Sequence, residues 1–142
     1  MLTSSDKAQI IEFAKNKHIE VVYVFGSQAT GEVKPLSDYD FAVLFDESIP
    51  SSERFDLKLE LIVFLSKLFK TDKVDVVDLN TAPPTFRYSA IAPRMDIYTR
   101  SKIKRNEFEL KTIQEFLDRI YYIKRHNREG LKLFARYGLQ QS

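Results

Sequence analysis

The sequence predicts an α/β (α+β) domain in which strands and helices interleave, closed by a long C-terminal helical tail. Three observations predict it. Val21-Val22-Tyr23-Val24-Phe25 is an unbroken β-branched and aromatic run, as expected of a strand covered on both faces. Two further strand-like runs, at about 39–45 and 73–79, are separated by a segment at 53–69 with helical periodicity. From Lys102 to Tyr137 the apolar residues again recur at helical spacing.

The 142 residues suit one domain with a real core. Hydrophobic residues make up 44% and charged residues 30%, ordinary values for a soluble globular chain. Cysteine is absent, which excludes disulfides and thiolate metal sites and fits a reducing cytosol. No apolar run approaches the ~20 residues that span a bilayer. The first helix starts almost at once, so no signal peptide is expected, and the expected compartment is the cytoplasm. The net charge of +2 argues for no particular partner. Its distribution is uneven: residues 101–136 hold ten basic and five acidic side chains, and the rest of the chain is net acidic.

Taken in order, residues 4–17 read as a helix capped by Ser4 or Ser5, with Ile10, Ile11, Phe13 and Ala14 as its apolar face. A strand follows at about 20–25. Pro35 excludes regular helix from the loop at 33–37, and a second strand covers about 39–45. The loop at 49–53 ends in a cap, and the helix of 53–69 presents Phe55, Leu59, Ile62, Val63, Leu65 and Phe69. Its early acids and late lysines suit the helix dipole. The third strand is Lys73–Leu79. Thr81 to Ala92 reads as a short helix with proline in its tolerated first turn. Met95–Tyr98 is a short edge strand. In the tail, Leu110, Ile113, Leu117 and Ile120 fit a helix seam, and Gly130 is placed to bend the helix.

The chemistry concentrates between the first two strands. Gly26 follows the buried strand directly, where a glycine lets the backbone turn sharply and approach a ligand. Ser27 can cap a short helix over Gln28, Ala29 and Thr30, with Gly31 ending it. Such a helix start offers free N–H groups to a phosphate. Ten residues separate Ser27 from Asp38-Tyr39-Asp40, which heads the second strand. Alternation puts Asp38 and Asp40 on one face. Two adjacent carboxylates repel unless a cation lies between them, and hard oxygen ligands with a substrate phosphate favour magnesium. Asp75 sits inside an apolar strand, where a carboxylate is costly without a partner. It is the candidate third carboxylate, expected to be buried and to face Asp38 and Asp40. Asp78 reads as a cap on the following loop.

Phe25-Gly26-Ser27, Ser37-Asp38-Tyr39-Asp40 and Val74-Asp75-Val76-Val77-Asp78-Leu79 together resemble the nucleotidyltransferase superfamily that includes kanamycin nucleotidyltransferase and DNA polymerase beta. The small size resembles its minimal nucleotidyltransferase group, many of which are antitoxins encoded beside a HEPN-domain ribonuclease toxin. The resemblance covers about residues 10–100. It implies the DNA polymerase beta-like fold, a small mixed sheet flanked by helices, with residues 1–100 as the catalytic domain and 101–142 as a helical extension that packs on it and binds the partner.

The resemblance further implies an enzyme that moves AMP from ATP to a tyrosine hydroxyl of a HEPN toxin and so silences it. Gly26 and Ser27 would hold the triphosphate. Asp38 and Asp40 would bind two magnesium ions, and Asp75 would complete the metal site and act as general base. One departure is Thr30, where many members carry arginine. Two other functions stay open: an antitoxin acting by binding alone, and a transferase acting on a small-molecule or nucleic-acid hydroxyl. In the tail, Tyr121, Tyr122, Arg125 and Arg128 suit a protein interface. Arg119 and His126 loosely echo a HEPN nuclease signature, but so short a tail cannot build that bundle, and a solvated face is the simpler reading. His18 reads as a helix-end residue. No RNA-binding motif accompanies the basic residues, so direct nucleic-acid binding is not expected, nor is membrane binding.

Overall fold

The computed structural model describes residues 2–25, 39–92, 94–126 and 132. The order is α1 (Ser4–Lys15), β1 (Ile19–Phe25), β2 (Tyr39–Phe45), α2 (Ser51–Phe69), β3 (Val74–Asp78), α3 (Pro84–Ile91), β4 (Arg94–Thr99) and α4 (Lys102–His126). The expected short helix after Ser27 and the bend at Gly130 lie outside the described residues.

The four strands form one mixed sheet in the order β3-β2-β1-β4. β1 pairs antiparallel with both β2 and β4, while β2 and β3 run parallel. A parallel pair needs a crossover, and α2 supplies it. One face of the sheet (Val22, Val24, Phe41, Val43, Val76, Ile97) packs against Ile10 and Ala14 of α1 and Leu61 and Leu65 of α2. The other face (Val21, Tyr23, Ala42) packs with Leu79 against Ala90 and Ile91 of α3, with Phe108 of α4 alongside. Both faces of β1 are covered, which explains its unbroken apolar run.

Three local expectations are corrected. The cap of α1 is Thr3, not Ser4 or Ser5: its hydroxyl accepts from Asp6 N–H at 3.0 Å, and Asp6 Oδ2 accepts from Thr3 N–H at 2.9 Å. This is a reciprocal capping box. At the start of α2 the capping position is Pro50, and no side chain caps it. The face of α2 is also rotated from that expected. Leu61 and Leu65 are buried, whereas Phe55, Leu59 and Val63 are 59%, 46% and 52% exposed. α2 is apolar over so much of its circumference that periodicity alone does not choose its inner edge.

α4 packs through Phe108, buried Thr112 and Phe116, whose ring stacks on Tyr88 of α3 with centroids 3.9 Å apart. The seam expected at Leu110, Ile113 and Leu117 forms on the opposite side of the helix and faces outward. Beneath α4, the buried Tyr23 hydroxyl donates to Glu109 Oε1 at 2.7 Å, and Arg94 reaches the same carboxylate at 3.0 Å. Among the described residues no helix is long and apolar enough to cross a membrane.

Candidate active site

β2 is set by its odd-numbered residues. Tyr39 stacks on Phe69 of α2 with centroids 4.2 Å apart, and Phe41 lies in the same cluster. With these facing α2, alternation turns Asp40 to the α3 side of the sheet. A one-residue slip would drive Asp40 into the apolar layer, so the register is strongly specified.

Across the sheet, Arg94, Phe25, Asp40 and Asp75 form a single rung spanning β4, β1, β2 and β3. Directly paired residues share a face, so Asp40 and Asp75 stand side by side on neighbouring strands, about 4.8 Å apart in backbone spacing. The chain leaves β1 at Phe25, the rung partner of Asp40, and continues into Gly26 and Ser27. Gly26, Ser27 and Asp38 themselves lie outside the described residues.

Asp75 is exposed, not buried as expected. The cause is topological. β3 is an edge strand, and the helices on this side bury Leu79 and half-bury Val77 but leave Asp75 open. Among the described residues none hydrogen-bonds or ion-pairs with the Asp75 carboxylate, so it is available to a ligand. Asp78 behaves otherwise. Its Oδ1 accepts from Asn80 N–H at 2.9 Å and its Oδ2 from Arg54 Nε at 3.1 Å. It caps the following loop, as read from the sequence, and it also ties β3 to α2.

Two carboxylates in register at a sheet edge are a donor pair suited to a hard divalent cation. Among the described residues no cluster of three or more His, Cys, Asp or Glu side chains could hold a metal ion. Asp40 and Asp75 are thus the described part of the expected triad. Beside them runs a groove of about 320 Å³ lined by Lys58, Asp75, Asp78, Thr81, Pro83 and Phe86. The Phe86 ring is 40% exposed and meets Phe25 edge-on, with centroids 6.3 Å apart. Sequence reading missed Phe86 and Lys58, since each looks like an ordinary helix residue; the only hint was an apolar ring two residues beyond Pro83-Pro84.

The Polymerase beta, Nucleotidyltransferase family profile matches residues 8–103. Protein adenylyltransferase MntA of Aphanizomenon flos-aquae (strain 2012/KM1/D3) is 38% identical over 76 residues, 46% of this chain and 47% of that protein. The match thus spans about half the length of this curated relative. A toxin–antitoxin crystal structure with AMP-PNP superposes with a TM-score of 0.68 at 22% identity, covering 84% of this chain and 93% of that one. The MNT antitoxin complex with the tri-AMPylated Shewanella oneidensis HEPN toxin gives a TM-score of 0.62 at 21% identity over 83% and 89%. These likenesses show a shared fold. The match to the family profile covers most of the chain, including the whole sheet and the Asp40–Asp75 rung, and the chain belongs to the Polymerase beta nucleotidyltransferase family.

Proposed function

We propose that this chain is an antitoxin that transfers AMP from ATP to a tyrosine hydroxyl of a cognate HEPN ribonuclease toxin. The observation that carries the reading is the register of Asp40 with Asp75 on the rung where β1 gives way to Gly26 and Ser27. The similarity to an MntA adenylyltransferase, and to complexes containing an AMP-PNP-bound toxin–antitoxin pair and an AMPylated HEPN toxin, supports it.

In this reading the Gly26-Ser27 turn holds the β- and γ-phosphates through backbone N–H groups and the Ser27 hydroxyl. Asp38, Asp40 and Asp75 would hold two magnesium ions. Bound there, magnesium neutralises phosphoryl charge and lowers the acceptor's pKa. The acceptor oxygen bonds to the α-phosphorus, the bond to the bridging oxygen breaks, and pyrophosphate departs. Asp75, exposed at the sheet edge, takes the acceptor proton. The protein's part is positioning and charge stabilisation. Partner recognition falls to the outward side of α4 and the residues after it, including Tyr121, Tyr122, Arg125 and Arg128. Tyr121 and Tyr122 are 61% and 63% exposed.

The test is incubation of the purified chain with labelled ATP, magnesium and a HEPN partner. A mass gain of one or more AMP units on the partner, mapped to tyrosine, is expected. Neutralisation without a mass gain would show binding alone. Label transferred only to a small molecule or a nucleic-acid end would reject the toxin as acceptor.

A further inference from the structure

We infer that the outward face of α2 is a self-association surface, on which a second copy of this chain packs its own α2 antiparallel about a twofold axis. The inference is independent of the transfer reaction and concerns a side of the molecule that the proposed site does not use.

α2 buries Leu61 and Leu65 against the sheet. At 3.6 residues per turn, the opposite side of the helix carries Phe55, Asp56, Leu59, Val63, Ser66 and Lys67. Phe55, Leu59 and Val63 are all exposed and follow one another at a spacing of four, so they form a continuous apolar row. A row of this kind, outside the core and rimmed by charge, marks an interaction surface.

The order of the residues chooses the occupant. Along the face an acid, Asp56, comes first, Leu59 and Val63 hold the centre, and a base, Lys67, comes last. Turned end for end about an axis level with Leu61, the face maps onto itself. Leu59 then lies opposite Val63 of the second copy, Phe55 opposite Ser66, and Asp56 opposite Lys67. Each contact occurs twice, as an isologous interface requires. The small Ser66 leaves room for the Phe55 ring, beside a shallow groove of about 500 Å³ lined by Ile62, Val63, Ser66 and Lys67. A carboxylate meets an ammonium at both ends. These charges are available: Glu60 pairs with Lys17 at 3.1 Å, whereas among the described residues neither Asp56 nor Lys67 has an ion-pair partner. A parallel pairing would instead set Asp56 against Asp56 and Lys67 against Lys67, which like charge disfavours. An unrelated partner gives the face no reason to be its own complement.

The sheet leaves room for this pairing. α1 and α2 cover one face, while Asp40 and Asp75 project from the other, where α3 and α4 lie. Joining two chains through α2 therefore leaves both catalytic faces open. One face of a helix ~28 Å long is small for a specific interface, so a dissociation constant of ~10–100 µM is expected.

The test is sedimentation equilibrium on the full chain alone, from ~5 to ~500 µM to span that range. The protein should pass from monomer to dimer, and Leu59→Glu should stay monomeric. Asp56→Lys and Lys67→Asp should each raise the dissociation constant about tenfold or more, because each reversal is felt twice across the axis. Mixing these two variants should restore a dimer of nearly the original strength, since the mixed pair re-forms both carboxylate–ammonium contacts. That rescue also shows that both variants are folded. A chain that stays monomeric throughout overturns the inference. So does a dimer that withstands Leu59→Glu and both reversals, which would lie on another face. If the reversals weaken binding of a HEPN partner and their mixture restores no dimer, the face belongs to that partner and the inference falls.

Discussion

Asp40 of β2 and Asp75 of β3 are register partners on adjacent parallel strands, and both point to the α3 side of the sheet. Two carboxylates so placed repel when both are charged, and a bound cation would offset that repulsion. Neutralising either acid should leave the fold intact while removing transfer. Asp75→Asn should lower AMP transfer at least ~100-fold, the usual worth of a positioned base. Asp40→Asn and Asp38→Asn should abolish it, with a melting temperature unchanged or slightly raised. Transfer of labelled AMP followed beside calorimetry checks both halves. Activity surviving in the Asp38→Asn, Asp40→Asn double variant would remove these carboxylates from the mechanism.

The sheet was readable because its strands carry strong local signals. β1 is β-branched or aromatic throughout from Val21 to Phe25, and β2 was expected over the residues it occupies. The Asp40–Asp75 pairing was legible from alternation on each strand plus the family pattern. The exposure of Asp75 was not, because burial depends on where β3 falls in the sheet, and one strand's sequence does not encode its neighbours. The same limit applies to α2. Its period predicts a helix, but the inner face is chosen by the sheet, where Leu61 and Leu65 join Phe41, Val43 and Val76. Phe86 and Lys58 come to the site only through tertiary packing, so no local pattern marks them.

Tyr23 and Glu109 link the sheet to α4 and give the fold an alkaline limit. Burial, then the hydrogen bond to the Glu109 carboxylate, pushes the Tyr23 hydroxyl well above its ordinary value of 10.0. The folded state therefore keeps this proton after the unfolded chain has begun to lose it. The stabilisation is fully present below pH 10.0 and is lost as pH rises beyond it toward the folded value. Denaturation midpoints should fall above that pH, and Tyr23→Phe should flatten the fall. At neutral pH the same variant should cost about 1.5–3 kcal/mol, the worth of a hydrogen bond to a charged group. Tyrosinate absorbance that saturates before unfolding would show that Tyr23 titrates freely.

Lys70 ends α2 in the left-handed region, with φ 54° and ψ 45°, and its N–H bonds back to the Ser66 carbonyl. A side chain there crowds the backbone, and glycine removes that strain. Lys70→Gly should stabilise the protein by about 1 kcal/mol, raising Tm by ~2–4 °C for a chain of this size. Thermal melts of the single variant suffice, and a lower Tm would show that Lys70 has contacts outweighing its backbone strain.

The outward seam of α4 offers the last test, because it separates folding from partner recognition. Removing α4 altogether would strip Phe108 and the Glu109 link from the sheet and confuse the two. Leu110 and Leu117 are instead 67% and 56% exposed on the side away from the core. An exposed apolar row on one helix face is suited to another helix, and leucines at its centre should carry much of the contact. Leu110→Lys and Leu117→Lys should therefore leave the melting temperature unchanged while weakening binding to a HEPN partner about tenfold or more, a loss of roughly 1.4 kcal/mol. Isothermal titration of each variant reads this directly. Transfer at saturating partner should persist, since the seam lies on the far side of α4 from the sheet. Unchanged affinity in the double variant would move the docking surface elsewhere, with the exposed Phe55, Leu59 and Val63 of α2 the next face to alter.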